Sequence, residues 1–504
     1  MHPTTGSLGV IAGLGRIGGA DLRACLARRL DTDPARTVLF ERAPHGHGTQ
    51  AEPDQRKLYV HDMALQLCER GAARIMLPCF ISQTFLPELQ PETRRPFVGM
   101  MDALRAHCTS AYRRGTRIGV LTSDHVRRAR LFETALGPHG FTILHPGAAS
   151  QAGCVMPALY GPAGLQCRGL GAAALDLLRA ACADLVARGA DVILAGASEF
   201  ALAAGALRRS GFGVVDTLQV YLDYAVRADT TPAPAPPARL GVVGGIGPAA
   251  TVDFLGKVVA HTRARRDQDH LPIIVDHNPR IPDRTAHLVG GGADPLLALY
   301  AACRRLESNG ATLIAVPCNT AHAYLPRIQP RLAVPVVHML DETVGHIVRH
   351  YPDCRTVGLL ATTGTIASGV YHAAARAAPF ELIVPSDAGQ RRVMGAIYGE
   401  HGVKAGHTTG PCRDDLAAAI GELAGRGAGV IILGCTELPL VLPAQAGFDA
   451  GGVAVDLVDP TLVLARRCIE RAGYATTPTD HFREQNGFLR PHRANAIYTA
   501  FTIY

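Results

Sequence analysis

The chain of 504 residues contains no uninterrupted apolar stretch long enough to cross a bilayer, which takes about 20 residues. Its first residues, Met1–Thr5, lack the basic start that is typical of a secretory signal. No arginine run is interleaved with aromatic residues, and a net charge of +7 is small for this length. These absences predict a soluble, cytoplasmic protein whose partners include neither a membrane nor a nucleic acid.

The chain also lacks any pair of cysteines spaced C-x-x-C, although it has thirteen cysteines. Scattered cysteines without an export signal indicate buried reduced thiols rather than a zinc site or a disulfide framework. Because no cysteines have this spacing, we expect no metal in this protein.

Lysine is scarce, so each of Lys57, Lys257 and Lys404 is noticeable against a background of arginines.

Two halves of the chain repeat each other on either side of a segment rich in proline and alanine, 229–238. LGVIAGLG at 8–15 matches LGVVGGIG at 240–247, and the Pro-Cys pair ending at Cys79 matches the pair ending at Cys318. The offset stays between 232 and 239 residues, which indicates duplicated domains rather than a solenoid. We predict a degenerate domain at 1–228, an extended linker at 229–238, a catalytic domain at 239–475 and a tail of unknown role at 476–504.

Within each half, short apolar runs alternate with amphipathic helical patterns such as 251–262. This alternation predicts an α/β fold whose sheets are parallel and covered by helices on both faces. Ligands in such folds lie beyond the C-terminal ends of the strands. In the second half the predicted strands are 241–243, 273–275, 313–316, 336–338, 357–360, 382–384 and 430–433.

Two cysteines follow predicted strands, Cys318 after TLIAV and Cys435 after VIIL. Two facing thiols can move a proton from a carbon acid, because one thiolate removes it from one face while the opposite thiol returns a proton to the other. Small polar residues follow each cysteine, where we expect helices whose N-termini favour the thiolate and hold ligand oxygens. The alternative is that both are buried structural cysteines.

A glycine pattern also follows the first strand of each half, at 13–18 and at 245–250. It fits the dinucleotide fingerprint G-x-G-x-x-G/A, but the acidic residues that the fingerprint needs, Glu41 and Asp276, are only loosely in place. Pro248 follows the glycine that would approach a pyrophosphate. We favour a tight strand-to-helix turn at the edge of an active site over the alternative, an NAD site.

Six motifs of the second half together resemble the aspartate/glutamate racemase superfamily, cofactor-independent enzymes with two catalytic cysteines. The resemblance covers roughly 240–472 closely and 8–226 more weakly. Position 437 is a glutamate in this chain, whereas glutamate racemases of cell-wall synthesis carry histidine there. In this respect the chain resembles the aspartate racemase branch. The motifs are GGIGPAAT (244–251), NPRIPDRT (278–285), PCNTAH (317–322), ATTGT (361–365), IYGEHGVKAG (397–406) and GCTEL (434–438).

The resemblance implies a racemase for aspartate, glutamate or both that needs no pyridoxal phosphate and uses Cys318 and Cys435 as its two bases. It implies that Arg284 and Lys404 bind the carboxylates of an acidic amino acid, which agrees with the fork that arginine offers to carboxylates. Each half would have two similar lobes, with one cysteine from each lobe and the helix at 460–472 returning to the first. The α-carboxylate and amino group would be held by Asn319, Thr320, Thr363, Thr365 and Thr436. His322 is a possible supporting residue but fits a structural histidine better, and Glu437 is left open between orienting His322, tuning the thiol and capping a helix.

Other functions remain open. Within the superfamily the alternatives are maleate isomerase, hydantoin racemase or decarboxylase chemistry; outside it, the alternative is a non-catalytic regulator that binds amino acids.

The first half has lost most of these residues. At the corresponding positions stand Phe80, Ile81, Gln83, Val126, Gln166 and Ala197. Cys79 is the one thiol that remains, and no cationic clamp is evident. We predict a silent partner that supplies an intramolecular pseudo-dimer contact, with a homo-oligomer also possible. The rival is a one-base reaction of Cys79 on an apolar substrate, as in arylmalonate decarboxylase relatives.

Overall fold

The structure is a computed structural model that describes residues 7–12, 19–29, 38–42, 53–93, 95–227 and 238–477. The chain divides into two compact units, 1–237 and 238–504. The predicted linker, apart from Ala238, and the tail from 478 onward lie outside the described residues. In the described ranges, no helix combines the length and the apolar character that a membrane crossing requires.

The first unit contains two parallel sheets of four strands each, with the strand orders β2-β1-β3-β4 and β6-β5-β7-β8. Central strands such as β7 are buried along their whole length, as expected for parallel sheets covered on both faces. The strands are β1 (Leu8–Ala12), β2 (Val38–Arg42), β3 (Arg74–Met76), β4 (Phe97–Val98), β5 (Arg117–Leu121), β6 (Thr142–Leu144), β7 (Val192–Ala195) and β8 (Val214–Val215).

Thirteen α-helices of the described residues surround these sheets. They are α1 (Gly19–Ala27), α2 (Pro53–Glu69), α3 (Phe80–Gln83), α4 (Leu86–Glu92), α5 (Met100–Ala111), α6 (Asp124–Arg128), α7 (Leu131–Leu136), α8 (Ala148–Ser150), α9 (Met156–Tyr160), α10 (Leu165–Arg168), α11 (Ala172–Ala187), α12 (Ala201–Arg209) and α13 (Thr217–Arg227). One π-helical turn (Gln151–Val155) and two 3₁₀ turns (Gly137–His139 and Ser198–Phe200) complete the described part of the unit.

The second unit repeats this plan, with the strand orders β10-β9-β11-β12 and β14-β13-β15-β17-β16. All pairs are parallel except β16 with β17. The strands are β9 (Leu240–Gly244), β10 (Ile273–His277), β11 (Leu313–Ala315), β12 (Val336–Val337), β13 (Thr356–Leu360), β14 (Glu381–Ile383), β15 (Val430–Leu433), β16 (Gln445–Asp449) and β17 (Ala454–Val458).

The α-helices of the second unit are α14 (Pro248–His261), α15 (Arg284–Val289), α16 (Leu296–Ser308), α17 (Leu325–Ile328), α18 (Met339–His350), α19 (Thr363–Ala367), α20 (Val370–Ala374), α21 (Asp387–Tyr398), α22 (Pro411–Gly425) and α23 (Pro460–Arg471). Its 3₁₀ turns are Asp267–Asp269, Thr320–Tyr324, Gln329–Arg331, Val403–Ala405 and Leu438–Leu440.

Helix α23 follows the second sheet but packs against α14 and α18 of the first lobe. A buried ion pair fixes its start, because Asp459 caps the helix and accepts from Lys257 of α14 at 2.6 Å. One hydrophobic core includes Leu240 and Val242 of β9 together with Val357 and Leu359 of β13. The two lobes of this unit are therefore joined through shared packing.

The α/β class, the parallel sheets and the return of the last helix to the first lobe are confirmed. The seven strands predicted in the second half match observed strands with ends that differ by at most two residues. The sequence does not predict β16 and β17. The reason for β16 is that its residues are half-buried or exposed, so no continuous apolar run marks it.

The glycine pattern at 245–250 is explained by packing of the chain on itself. Gly245 and Gly247 have φ values of 83° and 117°, in the region that favours glycine. A Cβ on Gly245 would lie 2.5 Å from the carbonyl carbon of Asn278. Asp276 forms an ion pair with Arg305 at 2.8 Å. These features fit a tight strand-to-helix turn; the matching pattern at 13–18 lies outside the described residues.

Candidate active site

A cavity lies beyond the C-terminal ends of strands from both sheets of the second unit, with about 280 Å³ of empty space that includes its opening to solvent. Cys318 reaches it from the end of β11 and Cys435 from the end of β15, and these residues are 6% and 7% exposed. The structure thus brings both predicted cysteines to one cavity. The lining residues are Ile246, Arg284, Thr285, Cys318, Asn319, Thr320, Thr362, Tyr398, Lys404, Cys435, Thr436 and Glu437.

Cys435 belongs to a cluster built around the carboxylate of Glu437. The thiol donates to Oε2 of Glu437 at 3.0 Å, the hydroxyl of Thr436 donates to the same oxygen at 3.2 Å, and Nζ of Lys404 binds Oε1 at 2.7 Å. Burial and then the Glu437 charge raise the pKa of Cys435 well above its ordinary value. Burial alone would raise the pKa of Glu437, but the positive charge of Lys404 and the thiol hydrogen bond lower it. Cys435 is therefore protonated in the resting site, beside an ionised carboxylate.

Cys318 lies beside the guanidinium of Arg284, which is 8% exposed. Asp283 caps helix α15 by accepting from the backbone N–H of Ala286, so Arg284 is the first residue of that helix. Its guanidinium donates to the carbonyls of Pro282 at 3.1 Å and of Ile246 at 3.4 Å. Burial would lower the pKa of Arg284, but the Cys318 sulfur, Asp283 and Tyr398 together outweigh burial and raise that pKa. The cation is fixed next to the first thiol.

Threonine hydroxyls connect the two lobes beneath the thiols. Thr320 bonds Thr365 at 2.7 Å, and Thr362 bonds Thr365 at 3.0 Å. Thr285 donates to Thr362 at 3.0 Å. Thr365 belongs to this network but does not line the cavity. Thr363 does not line it either, and its hydroxyl accepts from Gln390 at 3.4 Å.

Asn319 offers an unused donor at the cavity. Its Oδ1 accepts from the hydroxyl of Tyr371 at 2.6 Å. Its Nδ2 is buried and has no hydrogen-bond partner among the described residues. A buried amide donor without a partner is costly, so a ligand oxygen is the partner that this position favours.

His322 does not line the cavity and holds two backbone segments together. Its Nδ1 donates to the carbonyl of Cys318 at 2.9 Å, and its Nε2 accepts from the N–H of Met339 at 3.0 Å. Complete burial lowers its pKa to about 3, so the ring is neutral. In the first unit Gln83 forms the same kind of bridge, donating to the carbonyl of Leu77 at 2.8 Å and accepting from Met100 N–H at 3.2 Å. The structure therefore agrees with a structural histidine.

The expectation of helix N-termini beside the thiols is met at Cys318 but not at Cys435. After Cys318 the 3₁₀ segment Thr320–Tyr324 continues directly into α17, whereas only the 3₁₀ turn Leu438–Leu440 follows Cys435. A single turn adds few aligned peptide dipoles, so side chains carry most of the charge beside Cys435. The hypothesis that Glu437 orients His322 is also wrong, since Glu437 binds Cys435, Thr436 and Lys404.

Four lining residues were not predicted: Ile246, Thr285, Thr362 and Tyr398. Each lies within or beside a motif, and the position of Thr362 two residues after β13 is a signal that could have identified it.

The sequence comparison identified no cationic clamp in the first unit, but one cation from another helix lies in its cavity. Arg56, in the first turns of α2 and 2% exposed, donates to the sulfur of Cys79 at 3.4 Å. Within the described ranges, no group of three or more His, Cys, Asp or Glu side chains is placed to hold a metal ion.

Comparison with known proteins identifies related sequences and structures. The sequence profile described as Asp/Glu/hydantoin racemase matches residues 21–225 and 243–468. The chain is similar to the broad specificity amino-acid racemase RacX of Bacillus subtilis, with 30% identity over 238 residues, which are 46% of this chain and 96% of that protein. It is also similar to glutamate racemase of Corynebacterium glutamicum, with 31% identity over 137 residues, 27% of this chain and 47% of that protein.

Among solved structures, the chain is similar to Picrophilus torridus aspartate racemase, with 28% identity and a TM-score of 0.41. The matched region is 48% of this chain and 96% of that chain. The two matched segments of the family profile correspond to the two repeated halves. Because they cover most of both units, the chain belongs to the Asp/Glu/hydantoin racemase family.

Proposed function

We propose that the second unit interconverts the L and D forms of aspartate, glutamate or both without pyridoxal phosphate. The observation that carries this proposal is that Cys318 and Cys435 line one cavity from the strand ends of two different sheets. Thiols held by separate lobes can approach a bound Cα from opposite faces. That arrangement is what inversion of configuration requires.

In the proposed reaction, the thiolate of one cysteine takes the α-proton, so that the Cα–H bond breaks and its electron pair stays on the substrate. The other cysteine then donates its own proton to the opposite face and becomes the thiolate. No oxidant or reductant is consumed. Hydrogen-bond donors at the α-carboxylate stabilise the carbanion, and the unpaired Nδ2 of Asn319 is the donor best suited to this role.

The charge of the cavity supports an acidic substrate. Apart from the two thiols, the described lining residues carry the positive charges of Arg284 and Lys404 and the negative charge of Glu437, a net charge of +1. Aspartate and glutamate each carry two carboxylates and one ammonium group, a net charge of −1. The two sets of charges are complementary, and Arg284 can bind a carboxylate through two N–H groups.

The test is incorporation of solvent deuterium at Cα, followed by NMR with each enantiomer of aspartate and glutamate and no added cofactor. We expect Cys318→Ser and Cys435→Ser each to reduce racemisation by about 100-fold or more, because a positioned base is lost. The remaining base reaches one face, so residual exchange should be confined to one enantiomer, and to opposite enantiomers in the two variants.

Cys354→Ser is the matched control, because Cys354 is outside the cavity and its thiol contacts the carbonyl of Thr356. It should racemise at the wild-type rate. Absence of exchange with every acidic amino acid in the wild-type protein would refute the proposed activity.

A further inference from the structure

The first unit contains its own cavity beyond the strand ends where the second unit has its site, with about 340 Å³ of empty space that includes its opening to solvent. Cys79 lines it at the position of Cys318, and Ala197 lines it at the position of Cys435. A cavity of this size persists although the second thiol has been replaced. The residues around it therefore indicate what the cavity now accommodates.

One wall of this cavity carries a buried cation that sequence comparison with the second half does not identify. Arg56 comes from helix α2, whereas Arg284 comes from α15, and neither aligns with the other in the repeat. Each arginine nevertheless lies beside the cysteine of its first lobe. The first unit thus presents a guanidinium, the side chain best suited to a carboxylate.

The segment that follows β7 contributes a buried carboxylate, Glu199, which accepts from a neutral amide. Nε2 of Gln166 donates to Oε1 of Glu199 at 3.1 Å, in the place where Lys404 binds Glu437. Glu199 also accepts from the hydroxyl of Ser198 at 3.4 Å. Burial and then the negative charge of Glu199 raise the pKa of Tyr160, a lining residue, to about 12. Glu199 lies in the cavity without the lysine that neutralises its counterpart.

These replacements change the charge of the cavity. Among the described lining residues, Arg56 and Glu199 give a net charge of zero, compared with +1 in the second unit. A ligand with one carboxylate and one ammonium group complements a guanidinium and a carboxylate that face the same cavity. A second carboxylate would have no cationic counterpart among those residues.

Besides Ser123, Tyr160 and Ser198, the remaining lining includes apolar side chains, two of them where the second unit has polar ones. Phe80 and Ile81 replace Asn319 and Thr320, and Val126 and Leu159 also line the cavity. A polar side chain would lose its hydrogen bonds to water against these groups without gaining new ones. We propose that the first unit binds an α-amino acid with an apolar side chain as its zwitterion, through Arg56 and Glu199.

The test is isothermal titration calorimetry of the full chain carrying Cys318→Ser, so that racemisation at the proposed site is strongly reduced. The probes are L-leucine, D-leucine, L-aspartate and 4-methylpentanoate, which is leucine without its ammonium group. We expect saturable binding of at least one leucine enantiomer. Arg56→Met and Glu199→Gln should each weaken it by about 10- to 100-fold, because each removes a charged hydrogen-bonding partner.

Arg284→Met is the matched control in the second unit, and it should weaken aspartate binding while leaving leucine binding unchanged. Arg56→Lys should restore part of the leucine affinity if charge rather than folding is responsible. The proposal is overturned if neither leucine enantiomer binds, or if Arg284→Met rather than Arg56→Met abolishes leucine binding. It is also overturned if 4-methylpentanoate binds as tightly as leucine, since Glu199 would then hold no ammonium group. None of these outcomes depends on whether the second unit racemises aspartate.

Discussion

Replacing Glu437 with glutamine tests whether its carboxylate sets the proton affinity of Cys435. The thiol donates to Oε2 of Glu437 at 3.0 Å, and the negative charge is a cause of the raised pKa of Cys435. Glu437→Gln removes that charge with little change in shape. Lys404 remains and favours the thiolate, so the pKa of Cys435 should fall.

The size of the effect follows from the distance. Two unit charges 3.0 Å apart interact by about 1.4 kcal/mol even at the dielectric constant of water. That energy is a factor of about ten in the fraction of thiolate at a fixed pH, and burial of Cys435 makes it a lower limit. In the direction in which Cys435 removes the α-proton, kcat/KM rises with pH through the pKa of this thiol. The rising limb should therefore move to lower pH, with at least about a tenfold gain below the limb.

The assay is the pH profile of kcat/KM measured from each enantiomer separately. Lys404→Gln is the paired control, because loss of the cation should raise the pKa of Cys435 further and move the same limb to higher pH. The Gln166–Glu199 contact of the first unit shows that an amide can occupy this position. The electrostatic account is refuted if both variants move the limb in the same direction, or if Glu437→Gln lowers the rate at every pH without moving it.

Three further outcomes are expected. Arg284→Met should lower kcat/KM for aspartate or glutamate by about 10- to 150-fold, since a charged hydrogen-bonding partner is lost; an unchanged initial rate would exclude carboxylate binding by this residue. His322 has a pKa depressed to about 3, so its contribution to stability is present above the unfolded pKa of about 6.5 and is lost as the pH falls towards 3, by up to about 1.4 kcal/mol per pH unit. His322→Gln should flatten that dependence in urea unfolding of the second unit, and an equal slope would contradict it. Tyr371→Phe should destabilise the same unit by about 1–3 kcal/mol, because the buried Oδ1 of Asn319 loses its donor. A loss below about 0.5 kcal/mol, which is close to the error of such titrations, would contradict this prediction.

The sequence predicts the fold well because its strands are continuous apolar runs and its halves repeat. β15 is one such run and is buried along its whole length. The edge strand β16 lacks this signal, since an exposed edge needs no apolar run. The same logic places Cys318 and Cys435 at strand ends, where parallel sheets hold ligands.

Contacts between distant segments could not be predicted in the same way. Arg56 is one arginine among many, and its contact with Cys79 depends on how α2 packs. The bond between Tyr371 and Asn319 joins residues 52 positions apart and has no local pattern. A sequence shows that a motif residue has been replaced. Only the structure shows that a residue from another helix, such as Arg56, lies beside the thiol instead.

The glutamine that replaces Lys404 has a consequence for how the duplicated halves diverged. Gln166 bonds Glu199 at 3.1 Å where Lys404 binds Glu437, so the buried carboxylate has a donor in both units. At this corner of the cavity the first unit has Ala197 in place of Cys435 and Gln166 in place of Lys404. Ala197→Cys together with Gln166→Lys would therefore place a thiol and a lysine beside Glu199. One polypeptide thus contains the same turn twice, once with its thiol and once without it.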